Sequence, residues 1–253
     1  MISGFYAAGG AMRVYAERND IIANNLANVA TPGFKKESVY VEPFDVLFAR
    51  VTQPVGGEES LVQAPLGRLR AEAITVHTQG PFRLNGGKFD LAINGDGFFK
   101  VRTPAGVRYT RDGSFQLDST GQLVTADGYP VLGDGSAPVV INTAEGTDVL
   151  VAEDGTITVS GVRSGRITLA DFDKPYPLRK IGHNLFEPTS EEAVEMTSTS
   201  SISQHAVEMS NVNVVEEMVA LITNYRSYEM AQKMARLQDQ TLDRAINTVG
   251  ATR

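Results

Sequence analysis

The sequence predicts an α+β fold. Two long terminal helices, packing as a coiled coil, bracket a central mainly β domain of sandwich or irregular-barrel type. Three observations predict it. Residues 2–30 lack proline and place apolar or small side chains in steps of three and four. Residues 213–249 repeat that period. Between them lie five Asp-Gly pairs and a series of short alternating segments.

The N-terminal helix carries Ile2, Phe5, Gly9, Met12, Ala16, Asn19, Ala23 and Leu26, a heptad with small residues at alternate seam positions. Ser3 is placed to cap its start. Pro32 ends it at or before Thr31, and Gly33 supplies a flexible exit. Lys35 and Lys36 follow the helix C-terminus, where the helix dipole favours cations.

Residues 31–80 read as an extended connector, with Pro54, Gly56, Gly57, Pro65 and Gly67 in its second half. Residues 81–188 read as the β domain. Asp-Gly occurs at 96–97, 112–113, 127–128, 134–135 and 154–155, and tight hairpins over such pairs need positive φ at both turn positions. Segments 89–93, 107–109, 115–117, 149–151, 157–159 and 167–169 alternate as short strands. Residues 189–210 are rich in Ser and Thr and read as a second connector.

The C-terminal helix belongs with residues 1–30 in one discontinuous helical domain that includes residues 211–253. Val214, Met218, Leu221, Tyr225, Tyr228, Ala235, Leu242, Ile246 and Val249 fall on one seam, broken by Gln232 and Asp239. Asn213 followed by Glu216 resembles a capping box. Val215, Val219, Ile222, Met230, Met234 and Leu237 widen the apolar surface beyond a two-stranded seam, so this helix wants several neighbours.

The composition narrows the function. The chain has 253 residues, 23 Lys plus Arg against 30 Asp plus Glu, and a net charge of −7. That balance argues against nucleic acid and anionic membranes as partners. The longest apolar run is Met218 to Ile222, too short to insert in a membrane. Met1 leads into Ile2-Ser3-Gly4-Phe5 with neither a basic start nor a long apolar stretch, so no cleavable signal peptide is expected. There is no cysteine, hence no disulfide, thiol nucleophile or Cys-ligated metal.

Catalytic and cofactor signals are absent from the pattern. His77, His183 and His205 are isolated and read as surface or turn residues rather than zinc ligands. Gly95-Asp96-Gly97-Phe98-Phe99-Lys100 begins like a dinucleotide loop but lacks its third glycine and opens no helix. No metal, no cofactor and no enzyme activity are expected.

Three motifs carry a resemblance. Ala23-Asn24-Asn25-Leu26-Ala27-Asn28-Val29-Ala30-Thr31-Pro32-Gly33-Phe34-Lys35 resembles the N-terminal signature of the bacterial flagellar rod and hook proteins. Ser210-Asn211-Val212-Asn213-Val214-Val215-Glu216-Glu217-Met218 resembles the start of their C-terminal helix. Leu91 to Phe99, then Tyr109-Thr110-Arg111-Asp112-Gly113-Ser114-Phe115 and Gly121-Gln122-Leu123-Val124, resemble the middle of that family. The motifs occur in the family's order over nearly the whole chain. Residues 50–75 lack the Gly-Thr-Gly-Val-like stretch of distal-rod proteins, and Gly128-Tyr129-Pro130-Val131-Leu132-Gly133 looks more like the proximal-rod type, so the resemblance favours a proximal-rod subunit, with a distal-rod subunit as the alternative.

The resemblance implies a structural subunit that polymerises through its terminal helices into a tube, transmits motor torque to the hook and encloses the export channel. Its partners are then copies of itself, other rod and axial proteins, the surrounding basal-body rings and the flagellar type III export apparatus. The assembly interface it implies comprises Ile2, Phe5, Gly9, Met12, Asn24, Asn25, Leu26, Asn28, Pro32, Gly33, Phe34, Asn211, Asn213, Val214, Met218, Leu221, Tyr225 and Tyr228. A rival reading from the residues is a monomeric module whose two helices satisfy each other and present the β domain to a glycan or protein.

Overall fold

The computed structural model describes residues 2–41, 71–142, 148–189, 194–198 and 200–250. It divides into two compact units, a helical one (Met1–Ala27, Glu37–Val76 and Asn213–Arg253) and a β one (Asn28–Lys36 and His77–Val212). The α+β class therefore holds, with helices at both termini and a mostly β centre.

In the helical unit, α1 spans Ile2–Ala27 and α2 spans Val214–Gly250. At 1.5 Å per residue, α2 is about 55 Å long. Its start is capped as expected: Asn213 Oδ1 accepts the N–H groups of Val215 (3.0 Å) and Glu216 (3.5 Å). Ser3 is not the cap of α1, because it lies inside the first helical turn. The strands Glu37–Val41 and Ala71–Thr75 complete this unit as an antiparallel ladder, with Glu37 opposite Thr75. Most of the Pro- and Gly-rich connector lies outside the described residues.

The two helices pack along one another, but not on the expected seams. In α1 the buried residues are Ala8, Val14, Ile22 and Asn25, while Gly9, Ala16 and Ala23 are exposed. In α2 the line Leu221, Tyr228, Ala235 and Leu242 turns inward as expected. Its companions are Glu217 and Asn224, each one residue before the predicted Met218 and Tyr225, with the half-buried Ala231 and Gln238 near the interruptions at Gln232 and Asp239. Met218 is 48 % and Tyr225 55 % exposed, whereas Asn224 is 4 % exposed. The α2 seam is thus kept on the line through Leu221 and displaced by one position at Met218 and Tyr225, and the α1 seam is met only in part. Counting apolar residues selects Met218 and Tyr225; the helix pair instead buries Glu217 and Asn224, which bond across it to Asn25 and to Tyr15 O and Asn19.

The β unit is built on a six-stranded antiparallel sheet. Its order is Leu178–Gly182, Leu185–Pro188, Gly106–Thr110, Phe98–Thr103, Leu169–Asp171 and Met196–Thr197. Successive strand residues face opposite sides. Phe99 accordingly joins Leu91, Ile93, Phe115, Leu123 and Ile167 in one core, and Phe98 joins Tyr109, Phe172 and Phe186 in another. The strands Val149–Val151 and Thr156–Val159 add Val149, Val151, Ile157 and Val159 to the first core.

Two expectations for this region change. The stretch 189–210 was expected as an extended connector. Within it, Ser201–Gln204 pairs with Leu91–Asn94, and Ala206–Glu208 pairs with Phe82–Leu84. Composition hides these strands because the ladder bonds come from the backbone, whatever the side chain. The Asp-Gly turns also differ. No aspartate takes positive φ among the described residues, and the glycine alone does so at 97, 128, 135 and 155. Gly128 N–H bonds Thr125 O, and Gly155 N–H bonds Ala152 O, so the aspartate sits inside a four-residue turn and the glycine closes it as a bulge. Gly113 is not a hairpin residue: a Cβ there would lie 1.6 Å from Leu91 O.

Candidate assembly surface

In the β unit, segment 28–36 is the second half of the N-terminal motif, and it is locked into place. Phe34 is buried and Lys35 is fully buried. Lys35 Nζ pairs with the Glu208 carboxylate and donates to Thr78 O at 2.8 Å. Glu208, itself fully buried, also accepts Arg111 Nη1 at 3.2 Å and Gly80 N–H at 2.8 Å. Lys180 lies 3.5 Å from the centre of the Phe34 ring. The cations of Lys35 and Arg111 are thus held by one carboxylate. Burial pulls the Lys35 ammonium below the ordinary lysine range, against the opposing pull of Glu208.

Backbone fit completes the lock. Gly33 has φ +68°, and a Cβ there would lie 2.3 Å from Asp112 N. Its N–H donates to Glu208 O at 2.7 Å, while Asn184 Nδ2 donates to Pro32 O at 3.0 Å. Asn211 Oδ1 accepts Lys36 N–H at 2.8 Å, and its Nδ2 donates to Thr78 O at 3.1 Å. The three motifs that carried the resemblance therefore meet here through Gly33 and Lys35, Arg111 and Asp112, and Asn211.

This geometry corrects the dipole reading of Lys35. The helix ends at Ala27, and the ammonium sits on a carboxylate 173 residues away in sequence. Glu208 was not singled out from the sequence, where one more Glu in an acidic chain gives no signal. His77 is not an isolated surface histidine either. Its ring packs edge-on against Phe98 (5.6 Å) and Tyr176 (5.0 Å). Burial, and then the charges of Lys35, Arg111 and Lys180, lower its pKa to about 4. His183 and His205 do stand in turns, with φ of 49° and 64°.

In the helical unit, the first half of the motif is used at Asn25, which is 1 % exposed. Its carboxamide pairs with the backbone of Glu37 in both directions, accepting Glu37 N–H at 3.0 Å and donating to Glu37 O at 2.9 Å. It also reaches Glu217 Oε2 at 3.4 Å. Asn224 Nδ2 donates to Tyr15 O and to Asn19 Oδ1, both at 2.7 Å. Asn24 is exposed, and Asn28 Oδ1 accepts the Thr31 hydroxyl at 3.2 Å. Met12, Leu26, Val214, Leu221 and Tyr228 are half-buried. The side chains of Ile2 and Phe5 lie outside the described residues.

The side of α2 turned away from α1 is apolar and open. Val215, Val219 and Ile222, at positions i, i+4 and i+7, are each more than half exposed, as are Met230, Met234 and Leu237.

Three family models match the chain. A flagella basal body rod protein model covers residues 5–35, a flagellar hook protein FlgE/F/G D1 domain model covers 92–159, and a flagellar basal body rod FlgEFG protein C-terminal model covers 203–248. A flagellar basal-body rod protein FlgG of Buchnera aphidicola is 37 % identical over 245 residues, covering 89 % of this chain and 91 % of the relative. This chain belongs to the flagellar basal-body rod protein family. A FlgF of Caulobacter vibrioides is 39 % identical over 215 residues, 85 % of this chain and 84 % of the relative. A FlgF of Rhizobium meliloti is 33 % identical over 257 residues, covering all of both chains. The rod family is structural and is not a known enzyme class, and its proteins assemble with other flagellar axial proteins. The buried knot at Lys35 and the open face of α2 are therefore features of a rod-family structural protein of the flagellum.

Proposed function

We propose that this chain is a proximal-rod subunit that polymerises head-to-tail through its helical unit into an open-ended tube. Its two helices pack there as a multi-stranded coiled coil with those of neighbouring copies. The tube transmits motor torque to the hook across the periplasm and encloses the channel through which later subunits are exported. The subunit itself travels that route, and the basal-body rings surround it. The residues implied by the family resemblance form its interface, with one division of labour. Met218 and Tyr225, exposed on α2, face neighbours, whereas Gly33 and Phe34 shape the β unit that presents the signature.

One observation carries this reading: the exposed apolar side of α2 from Val215 to Leu237. A soluble monomer rarely keeps so long an apolar stripe in water, and an assembling subunit covers it. The proximal assignment rests on residues 128–133 and on the absence of the Gly-Thr-Gly-Val-like stretch from 50–75. Sedimentation of the purified chain over a wide concentration range is the test. Open-ended growth above a critical concentration is the expected result. A chain that stays monomeric throughout, with its terminal helices resistant to protease, is instead a self-satisfied binding module.

A further inference from the structure

Segment 28–36 of the β unit contains no strand. It is fastened by side chains and by single backbone bonds, so it can open without breaking a ladder. Gly33 N–H donates to Glu208 O, Asn211 N–H to Phe34 O at 3.4 Å, and Lys35 Nζ to Thr78 O. His77 stands one residue from that last anchor, because Thr78 accepts both the Lys35 ammonium and the Asn211 carboxamide. Its ring packs against Phe98, Tyr176 and Phe186, the last at 5.2 Å. Its Nδ1 is buried and has no hydrogen-bond partner among the described residues.

Three cations act on this ring: Lys35, Arg111 and Lys180. They are the same three that fasten the segment. Lys35 belongs to it, Arg111 shares Glu208 with it, and Lys180 sits on the Phe34 ring and donates to Lys35 O at 3.3 Å. The carboxylates on the neighbouring elements are engaged elsewhere. Glu208 holds Lys35, Arg111 and Gly80 N–H. Asp96 holds Lys174 at 2.8 Å and the Tyr176 hydroxyl at 3.0 Å. Glu187, next to Phe186, pairs with Arg108 and Arg179. Asp112 accepts Ser114 N–H and Asp171 accepts Phe172 N–H, both at 2.9 Å. Lys100 is paired with Glu195, Lys36 is half-buried and Asp173 is exposed. A proton on His77 is therefore a fourth positive charge beside three, and Glu208 already serves two of them.

We propose that His77 is an acid-operated release for segment 28–36: protonation of its ring drives Lys35 off Glu208 and Thr78 O and frees the segment while the six-stranded sheet stays paired. The closed state disfavours the proton. The segment is therefore secure above the ordinary histidine range and loosens as pH falls toward about 4. Every group involved belongs to one chain, so the inference is independent of the polymer reading.

Hydrogen exchange of the full chain, read by mass spectrometry and corrected for the intrinsic effect of pH, is the test. Between about pH 7 and pH 4, residues 33–36 are expected to lose at least about tenfold in protection, the factor for one pH unit of restored proton affinity. The strand Phe98–Thr103 is expected to keep its protection over the same range. In His77→Phe the loss at 33–36 should vanish. Lys180→Met keeps the histidine with one cation fewer, and is expected to weaken the segment at every pH and to flatten its pH slope. Joint loss at 33–36 and 98–103 means global unfolding and overturns the release. Protection at 33–36 that is equal at both ends of the range overturns it too. A loss that persists in His77→Phe assigns the opening to protonation of Glu208 instead, and an unchanged slope in Lys180→Met removes the repulsion on which the proposal stands.

Discussion

The β unit and the helical unit spend their apolar residues in opposite ways. In the β unit, Phe98, Phe99, Val101, Ile157 and Phe186 have no exposed surface, and the charges of Lys35, Arg111 and Glu208 are sealed with one another. In the helical unit, the interior between the helices holds Asn25, Glu217 and Asn224, while Val215, Val219 and Ile222 face outward. Sequence hydrophobicity does not distinguish these outcomes, since both units contain long apolar patterns. The difference teaches that one unit is complete as a single chain. The other buries polar groups beside a few apolar ones between its helices and leaves a long apolar stripe, Val215 to Leu237, exposed.

The sharpest way to break this comparison is to open the seal in the β unit. Glu208→Ala leaves Lys35 and Arg111 buried without their carboxylate, and a loss of about 3–5 kcal/mol is expected in urea unfolding. Replacing Lys35 and Glu208 together by apolar residues is expected to cost less, because one buried cation rather than two is left over.

Acidification probes the same region. His77 is held neutral with a folded-state pKa of about 4, below its unfolded value of about 6.5. The unfolded chain therefore binds the proton first. Stability contributed by this group is complete above about pH 6.5 and is lost as pH falls toward 4, amounting to at most about 3 kcal/mol. Thermal melts of the wild type should fall over that window, and those of His77→Phe should be flatter there. Equal slopes would mean that the ring is not the group responsible.

Smaller effects sharpen the helical side. Asn213→Ala removes the cap of α2 and should cost about 1 kcal/mol, read as reduced helix content or a lower melting temperature. Smallest of all for the monomer is Ile222→Ser, expected within about 0.5 kcal/mol of wild type because the side chain is already in water. Its effect should appear in assembly instead, as a raised critical concentration in sedimentation. A large loss of monomer stability with unchanged assembly would reverse the contrast between the two units.

Much of this was legible in the sequence, and the misses share one cause. The absence of proline from 2–30, Pro32 beyond it and Asn213 before α2 are local signals, and helix formation and capping are local events. The β character of 81–188 was legible from alternation, but the strands at 201–204 and 206–208 were not. Their ladder partners, 91–94 and 82–84, lie more than a hundred residues away. The motif residues were legible as a family signature, yet the motif did not reveal that Asn25, Gly33 and Phe34 are buried within their own units.

By itself, then, the sequence determined the order of elements, the α+β class, where α2 begins and the surplus of apolar residues on it. Each follows from period, caps and breakers, which act over a few residues. Only the tertiary structure decided which face of each helix turns inward and which carboxylate receives Lys35. A period states which side chains share a face. It cannot state which face is buried, because that depends on whether Asn25, Glu217 and Asn224 find partners on distant segments, and burying a polar group is tolerable only where such a partner waits.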